Sequence, residues 1–156
     1  MMVMTAKVDM KTVIAILAAV AALIIGLIAL TGDGNDSAAT SAGSTVSTND
    51  DRVKFLNNFG WDVATSPIQT NQVRIPADSS QVFDRYNTLQ KTQGYDLSQY
   101  AGKTVMRYVY TVKNYPGATE PVYATLLISG NQVIGGDITD TAATGLMQGF
   151  QKPEAD

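Results

Sequence analysis

Hydrophobic and polar residues follow two different patterns along this chain. Residues 12–30 form an apolar run that contains no charge and nothing more polar than Thr12. As a helix, this run would be about 28 Å long, which matches the roughly 30 Å hydrocarbon core of a bilayer. After residue 48, apolar positions recur instead at the spacings of amphipathic helices and strands. The pattern predicts a transmembrane helix at 12–30 that precedes a folded domain.

The charges that flank the apolar run predict its orientation. Lys7 and Lys11 precede the run, and no Lys or Arg follows it until Arg52. The positive-inside rule then makes residues 1–11 a short cytoplasmic tail and places the remainder of the chain outside the cytoplasm. The alternative is a cleaved signal peptide that would leave a secreted domain, although the run exceeds the usual apolar length of such peptides. We predict a single-pass signal anchor.

Composition predicts the domain boundaries. Residues 31–48 are rich in Gly, Ser, Thr, Asp and Asn, and their apolar side chains are three Ala and Val46. Such a segment cannot bury enough apolar surface to fold, so it is predicted to be a disordered linker. The prediction leaves an extracytoplasmic domain at 49–152 and a short tail at 153–156.

Two helices are predicted in the domain from capping residues and apolar stripes. The first begins after Thr48 and ends at Gly60, and the second begins after Ser79 or Ser80 and ends at Gly94. We expect an apolar stripe on each helix to face a sheet. The residues of the two stripes are Val53, Leu56 and Phe59, flanked by Phe55, in the first helix and Val82, Tyr86 and Leu89, flanked by Phe83, in the second.

Strands are predicted where apolar residues alternate. The predicted strands are about 61–65 and 72–75, then 103–115, 122–128 and a last strand that ends at 135–137, with a closing helix or strand near 144–150. Gly130 and Asn131 fit a two-residue hairpin loop. This loop would pair Ile128 with Val133 and Leu127 with Ile134. The predicted fold class is therefore α+β, with two helices and an antiparallel sheet in the order α-β-β-α-β-β-β.

Composition also excludes several kinds of chemistry. The chain contains no Cys and no His, which removes Cys-His and Ser-His-Asp catalysis and the ordinary zinc sites. The net charge is −3, and an acidic chain without a basic stripe is a poor match for nucleic acid. No P-loop or dinucleotide fingerprint is present. We therefore predict no catalytic residue, cofactor or metal ligand, and we expect the protein not to be an enzyme.

Two groups of side chains remain as candidates for a site. Asp137 and Asp140 follow two glycines and would serve a carboxylate-based hydrolase if they met in a cleft, but they also fit a strand end and the start of a turn. Tyr108, Tyr110 and Tyr115 lie along one predicted strand. They form either an exposed row that stacks on a sugar or peptide, or a set of core and cross-strand contacts.

Several motifs in the domain resemble those of a known family. They are the segments at 56–63 (LNNFGWDV), 74–76 (RIP), 86–97 (YNTLQKTQGYDL), 108–110 (Tyr-x-Tyr), 114–116 (NYP) and 133–137 (VIGGD). Across about 51–151 the chain resembles the domain of unknown function family 4830. The resemblance implies a membrane-anchored extracytoplasmic domain from a Gram-positive bacterium of the Firmicutes. It implies no activity, ligand or catalytic residue.

These observations favour a membrane-anchored protein whose outer domain binds an envelope protein, a peptide or a glycan. The first alternative is an extracytoplasmic hydrolase that uses Asp137 and Asp140, and it requires a deep pocket with paired carboxylates. The second alternative is a structural spacer or folding aid, which requires neither a pocket nor a binding patch.

Overall fold

The computed structural model describes residues 44–153 of the chain. The predicted transmembrane helix at 12–30, the predicted tail at 1–11 and most of the predicted linker lie outside these residues. Between residues 44 and 153, no helix is long and apolar enough to cross a membrane. The end of the predicted linker is described, and Val46 within it is buried in the core. The folded domain therefore includes residues that precede the predicted boundary at 49.

Two helices and a five-stranded antiparallel sheet make up the described domain, which confirms the α+β prediction. The strands are neighbours in chain order, β1-β2-β3-β4-β5. Their bounds, with a 3₁₀ helix at Leu97–Tyr100, are α1 Asn49–Asn58, β1 Gln69–Arg74, α2 Gln81–Thr92, β2 Thr104–Val112, β3 Val122–Ser129, β4 Gln132–Asp140 and β5 Met147–Gln148.

Each helix covers one face of the sheet. The core on the α1 face is the larger, and it includes Phe55, Leu56, Trp61, Tyr110, Leu126, Ile138 and Phe150. The core on the α2 face is smaller, and Phe83 and Tyr86 of α2 pack against Val73, Ile75, Leu97, Val105, Leu127 and Ile134. Apolar burial on both faces explains why the central strands have few exposed positions.

The predicted helix ends are confirmed in detail. The Thr48 hydroxyl accepts a hydrogen bond from the Asp51 N–H (3.2 Å), and the Asp51 carboxylate accepts one from the Thr48 N–H (2.9 Å), which together form a capping box. At the other ends, Gly60 and Gly94 both adopt φ +87°. This left-handed backbone is accessible to Gly at little cost and turns the chain back across the last helical turn.

The predicted strand at 61–65 is wrong. In this segment only Val63 forms an isolated bridge, to Val112, while Trp61 is buried in the core on the α1 face. Pro67 follows and has no N–H to donate to a ladder, so regular pairing begins at Gln69. The short β5 restores the count to five strands and changes the order to α-β-α-β-β-β-β.

The apolar stripe predicted for α2 is only partly right, because Phe83 and Tyr86 pack against the core but other positions differ. Val82 is 50% exposed, and the two fully buried residues of the helix are the amides Asn87 and Gln90. The Asn87 side-chain oxygen accepts from the Leu97 N–H (2.7 Å), and the Gln90 side-chain oxygen accepts from the Gly136 N–H (2.8 Å). The helix therefore turns a partly polar side inward because the backbone beneath it needs hydrogen-bond partners.

The hairpin between β3 and β4 has the predicted loop but a different register. Ile128 pairs with Val133, as predicted, whereas Leu127 pairs with Gly135 and not with Ile134. The extra residue is a β-bulge, which places Ile134 and Gly135 both on the α2 face. All later side chains of β4 change face as a result, and Asp137 consequently lies on the α2 face.

Three different contacts cover the outer edge of β4. Thr45 bridges to Gln132 at one end, and β5 pairs with the other end. Between them, the backbone of Gly136 bonds to side-chain amides: its N–H donates to Gln90, and its carbonyl oxygen accepts from Gln93 (3.0 Å). These contacts satisfy the edge groups that would otherwise template pairing with another chain.

Candidate functional site

The two carboxylates predicted as a hydrolase pair lie apart. Asp140 ends β4 and accepts a hydrogen bond from the Ala142 N–H (3.0 Å), as expected for a residue that starts a turn. Asp137 lies inside β4 and is 3% exposed, so the turn interpretation is wrong for this residue. Because the two residues are three positions apart in one strand, their side chains point to opposite faces of the sheet.

The tyrosines of β2 and the following turn pack into the domain. Tyr110 is fully buried, and its hydroxyl accepts from Nε of Arg52 (3.0 Å). The Arg52 guanidinium also lies 3.9 Å from the centre of the Tyr108 ring. Tyr115 stacks on Trp61 with a ring separation of 5.8 Å. The packing interpretation of these tyrosines is therefore confirmed, and they do not form an exposed aromatic row.

The structure brings together a set of polar side chains on the α2 face that we call the polar cluster: Gln69, Tyr86, Arg107, Asp137 and Thr139. The hydroxyls of Tyr86 and Thr139 each donate to Asp137, both at 2.7 Å. Arg107 is 9% exposed, and its Nη1 donates to the side-chain oxygen of Gln69 (3.1 Å). Buried charges and their hydrogen bonds in one place mark the cluster as the candidate site.

Strand register positions this cluster. Arg107 belongs to a row of facing residues that crosses β1 to β4, and Asp137 belongs to the next row. The first row consists of Asn71, Arg107, Leu127 and Gly135. The second row consists of Gln69, Val109, Thr125 and Asp137. The bond to Gln69 shows that the Arg107 side chain extends from its own row over the next one, where Val109 and Thr125 are buried.

Arg107 retains hydrogen-bonding capacity after its contact with Gln69. A guanidinium carries five N–H donors. Among residues 44–153 the ion pair within 4.0 Å is Lys91 with Asp96, so Asp137 does not contact the Arg107 guanidinium directly. In the same part of the chain, the polar side-chain atoms sealed from solvent without a partner are Asn71 Oδ1 and Gln90 Nε2. No nitrogen of Arg107 is among these sealed atoms, so its remaining donors reach solvent.

Burial perturbs the ionisation of the cluster. It raises the pKa of Asp137, although the hydrogen bonds from Thr139 and Tyr86 and the positive charge of Arg107 act to lower it. It lowers the pKa of the Arg107 guanidinium, which the nearby Asp137 and Tyr86 oppose. Burial and then the Asp137 charge raise the pKa of Tyr86 well above its ordinary value. Tyr86 therefore remains a neutral hydroxyl that donates to Asp137.

The raised pKa of Asp137 predicts how stability depends on pH. Between the unfolded value of 3.8 and the higher folded value, the native state binds more protons than the unfolded state, so stability falls as the pH rises through this window. Asp137→Asn should flatten this fall, as measured by urea unfolding across the acidic range. The exposed Asp78→Asn is the control, and identical pH profiles for Asp137→Asn and wild type would contradict the assignment.

Sequence reasoning considered Asp137 but missed its neighbours. With regular pairing from Ile128 and Val133 onward, Asp137 would face the α1 side of the sheet, opposite to Arg107. The signal that would have brought them together is the glycine pair Gly135-Gly136, since glycine inside a strand often marks a bulge.

The comparisons with known proteins identify one family. The model of a domain of unknown function, DUF4830, matches residues 55–138, which is more than half of the 156 residues. The match contains Gln69, Tyr86, Arg107 and Asp137 of the polar cluster. The comparison with curated proteins gave no match, and neither did the comparison with solved structures.

Proposed function

The chain belongs to the family of the domain of unknown function DUF4830, and we propose that it is a single-pass membrane-anchored protein whose outer domain binds a partner in a bacterial envelope. The proposed anchor is the uncharged apolar run at 12–30, and the lysines before it favour a cytoplasmic N-terminus. The proposed partner is an envelope protein, a peptide or a glycan.

The observation that supports binding is the state of Arg107. A buried guanidinium is costly unless its charge and its donors find partners, yet Arg107 bonds to Gln69 alone among residues 44–153 and its other donors reach solvent. A bound group with hydrogen-bond acceptors would pair with the Arg107 donors that face solvent. Hydrolysis is less well supported. Acid-base cleavage of a glycosidic bond needs two carboxylates in one cleft, whereas Asp140 lies on the opposite face of the sheet from Asp137.

Localisation is tested on intact cells that express the full chain with a C-terminal epitope. Protease added from outside should remove the epitope, and alkaline extraction should leave the undigested chain in the membrane fraction. Recovery of a shortened chain from the medium would indicate cleavage and contradict the anchor. Protection of the epitope in unbroken cells would contradict the orientation.

Binding is tested with the full chain in phospholipid nanodiscs that are incubated with an envelope extract. The wild type should capture a component, and Arg107→Gln should reduce its capture about tenfold or more, the effect of losing a charged hydrogen bond. Arg74→Gln is the matched control, because Arg74 is an exposed arginine on the neighbouring strand. Equal capture by both variants would contradict a site at Arg107, and the absence of any captured component would favour the spacer alternative.

A further inference from the structure

The outer edge of β1 indicates what kind of partner the domain takes, an inference that rests on the proposed function. We propose that an extended peptide segment pairs with this edge as a further antiparallel strand, and that one of its side chains brings a carboxylate to Arg107. The partner is therefore a protein or peptide with an accessible acidic strand, and not a glycan.

The backbone of β1 is open on its outer side. β1 is the edge strand at the end of the sheet opposite to β5. Just beyond β1, the Ile75 N–H donates to the Lys103 carbonyl oxygen (2.8 Å), in line with the register of β1 and β2. Because backbone groups alternate in direction along a strand, those of Thr70, Gln72 and Arg74 face away from β2. Among residues 44–153, no other backbone group bonds to these outward N–H and carbonyl groups.

The two edges of the sheet differ in their protection. The outer edge of β4 is covered by Thr45, by β5 and by the side-chain amides of Gln90 and Gln93. β1 has no such cover among the described residues, and its six residues include no Pro or Lys and one charged residue, Arg74, at the end. Proteins use charges, proline or a covering segment to block pairing at an edge. An edge that is open along a whole strand suits the addition of a partner strand.

Arg107 adds a requirement for negative charge at the same edge. Its Nη1 donates to the side chain of Gln69 (3.1 Å), the exposed first residue of β1. A residue of the added strand directly opposite Gln69 would share its face, with the two Cβ atoms about 5 Å apart. Glu and Gln side chains are equally long, so a Glu carboxylate there would lie beside the Gln69 amide. The remaining Arg107 donors reach solvent and match the two oxygens of a carboxylate.

Charge also distinguishes a peptide from a second copy of this chain. β1 contains one arginine and no Asp or Glu, so the same strand from a second copy would bring no carboxylate to Arg107. A partner strand that contains Asp or Glu supplies this charge. Because Arg107 is 9% exposed, an ion pair formed there is weakly screened by salt. Backbone pairing then provides affinity along the edge, and the carboxylate provides selectivity.

The experiment measures the fluorescence anisotropy of a labelled peptide titrated with the full chain in nanodiscs, with empty nanodiscs as the blank. The probe is the peptide VTVTETV with an N-terminal fluorophore and an amidated C-terminus. It should bind, and the same peptide with Gln in place of Glu should bind about tenfold more weakly or worse, the effect of losing a charged hydrogen bond. Equal binding of the two peptides, or no binding of either, would overturn the proposal.

Methylation of the peptide backbone tests the strand pairing. When the Glu shares the face of Gln69 in an antiparallel pair, its own N–H points away from β1 and those of its neighbours point toward β1. Methylating the N–H groups of the two Thr residues that precede the Glu should therefore abolish binding. Methylating the Glu and the Val between those Thr residues adds as many methyl groups on the outer side and should preserve binding. Equal effects of the two methylations would contradict the pairing.

Variants locate the site. Arg107→Gln should bind the Glu and Gln peptides equally. Arg74→Gln should keep the preference for Glu, because alternation places Arg74 on the other face of the sheet from Gln69. Gln72→Pro removes an outward N–H at an edge position where proline is tolerated, so it should lose peptide binding and retain the native fluorescence of Trp61. A preference for Glu in Arg107→Gln, or full binding by folded Gln72→Pro, would overturn the proposal.

A second copy at the edge would give a different result. Wild-type chains with C-terminal fluorophores should show no energy transfer between copies in lipid vesicles. If they do show transfer, and Gln72→Pro removes it, a second copy occupies the edge of β1 and the peptide proposal is wrong.

The proposed function and this inference fail separately. If the chain captures an envelope component in an Arg107-dependent manner but binds no probe peptide, the partner class is wrong and the binding function stands. If capture does not depend on Arg107 and no probe binds, both proposals fail. The peptide series requires only the wild-type chain, so it decides the partner class even if a variant does not fold.

Discussion

Replacing Gly136 with alanine is expected to destabilise the protein by about 3 kcal/mol, the upper range for overpacking a well-packed interior. A Cβ atom at this position would overlap the carbonyl oxygen of Thr125 and the ring of Phe150. Thr125 belongs to β3, so its carbonyl cannot move without disturbing the pairing of β3 with β4. Phe150 is buried among other core side chains, so its ring cannot swing out into solvent. Neither neighbour is the end of a flexible side chain.

Urea unfolding followed by the fluorescence of Trp61, the single tryptophan of the chain, measures this effect. Gly94→Ala is the control, because Gly94 has φ +87° but no atom within 4 Å of the added Cβ. It should lose only the cost of a left-handed backbone, about 1–2 kcal/mol. If Gly136→Ala costs no more than Gly94→Ala, the close packing of β4 between β3 and Phe150 is wrong.

Features that depend on a few neighbouring residues could be predicted from the sequence. The start of α1 at Thr48 depends on a side chain three residues later, and the ends of both helices depend on one glycine each. The hairpin loop at Gly130 and Asn131 is equally local. In these cases the backbone geometry and its hydrogen bonds are determined within one turn of chain, where residue type is informative.

The candidate site could not be predicted, because it depends on a bulge and on partners distant in sequence. One extra residue in β4 moves Asp137 to the face of Arg107, and regular alternation gives the opposite result. The buried amides on the inner side of α2, Asn87 and Gln90, were missed for a related reason. Gln90 is buried because Gly136, 46 residues away, needs an acceptor, and hydrophobic periodicity contains no information about such a need.

The C-terminal segment provides the second large effect, since Phe150→Ala is expected to cost about 3–5 kcal/mol. Phe150 is 1% exposed, and its ring lies 5.3 Å from that of Phe55 and 6.4 Å from that of Tyr95. It therefore joins α1 to the segment after α2 across the end of the sheet. Its carbonyl oxygen also accepts from Nε1 of Trp61 (2.6 Å), so loss of the ring would loosen a second buried contact.

This prediction also tests where the folded unit ends. The family match stops at residue 138, whereas Phe150 contributes to the main core twelve residues later. Leu146→Ala is the control, because Leu146 is 70% exposed and should change the free energy of unfolding by less than about 0.5 kcal/mol. If both variants unfold at the same urea concentration as the wild type, β5 and Phe150 are not part of the cooperative unit. If only Phe150→Ala is destabilised, the cooperative unit extends to Phe150, beyond the end of the family match at residue 138.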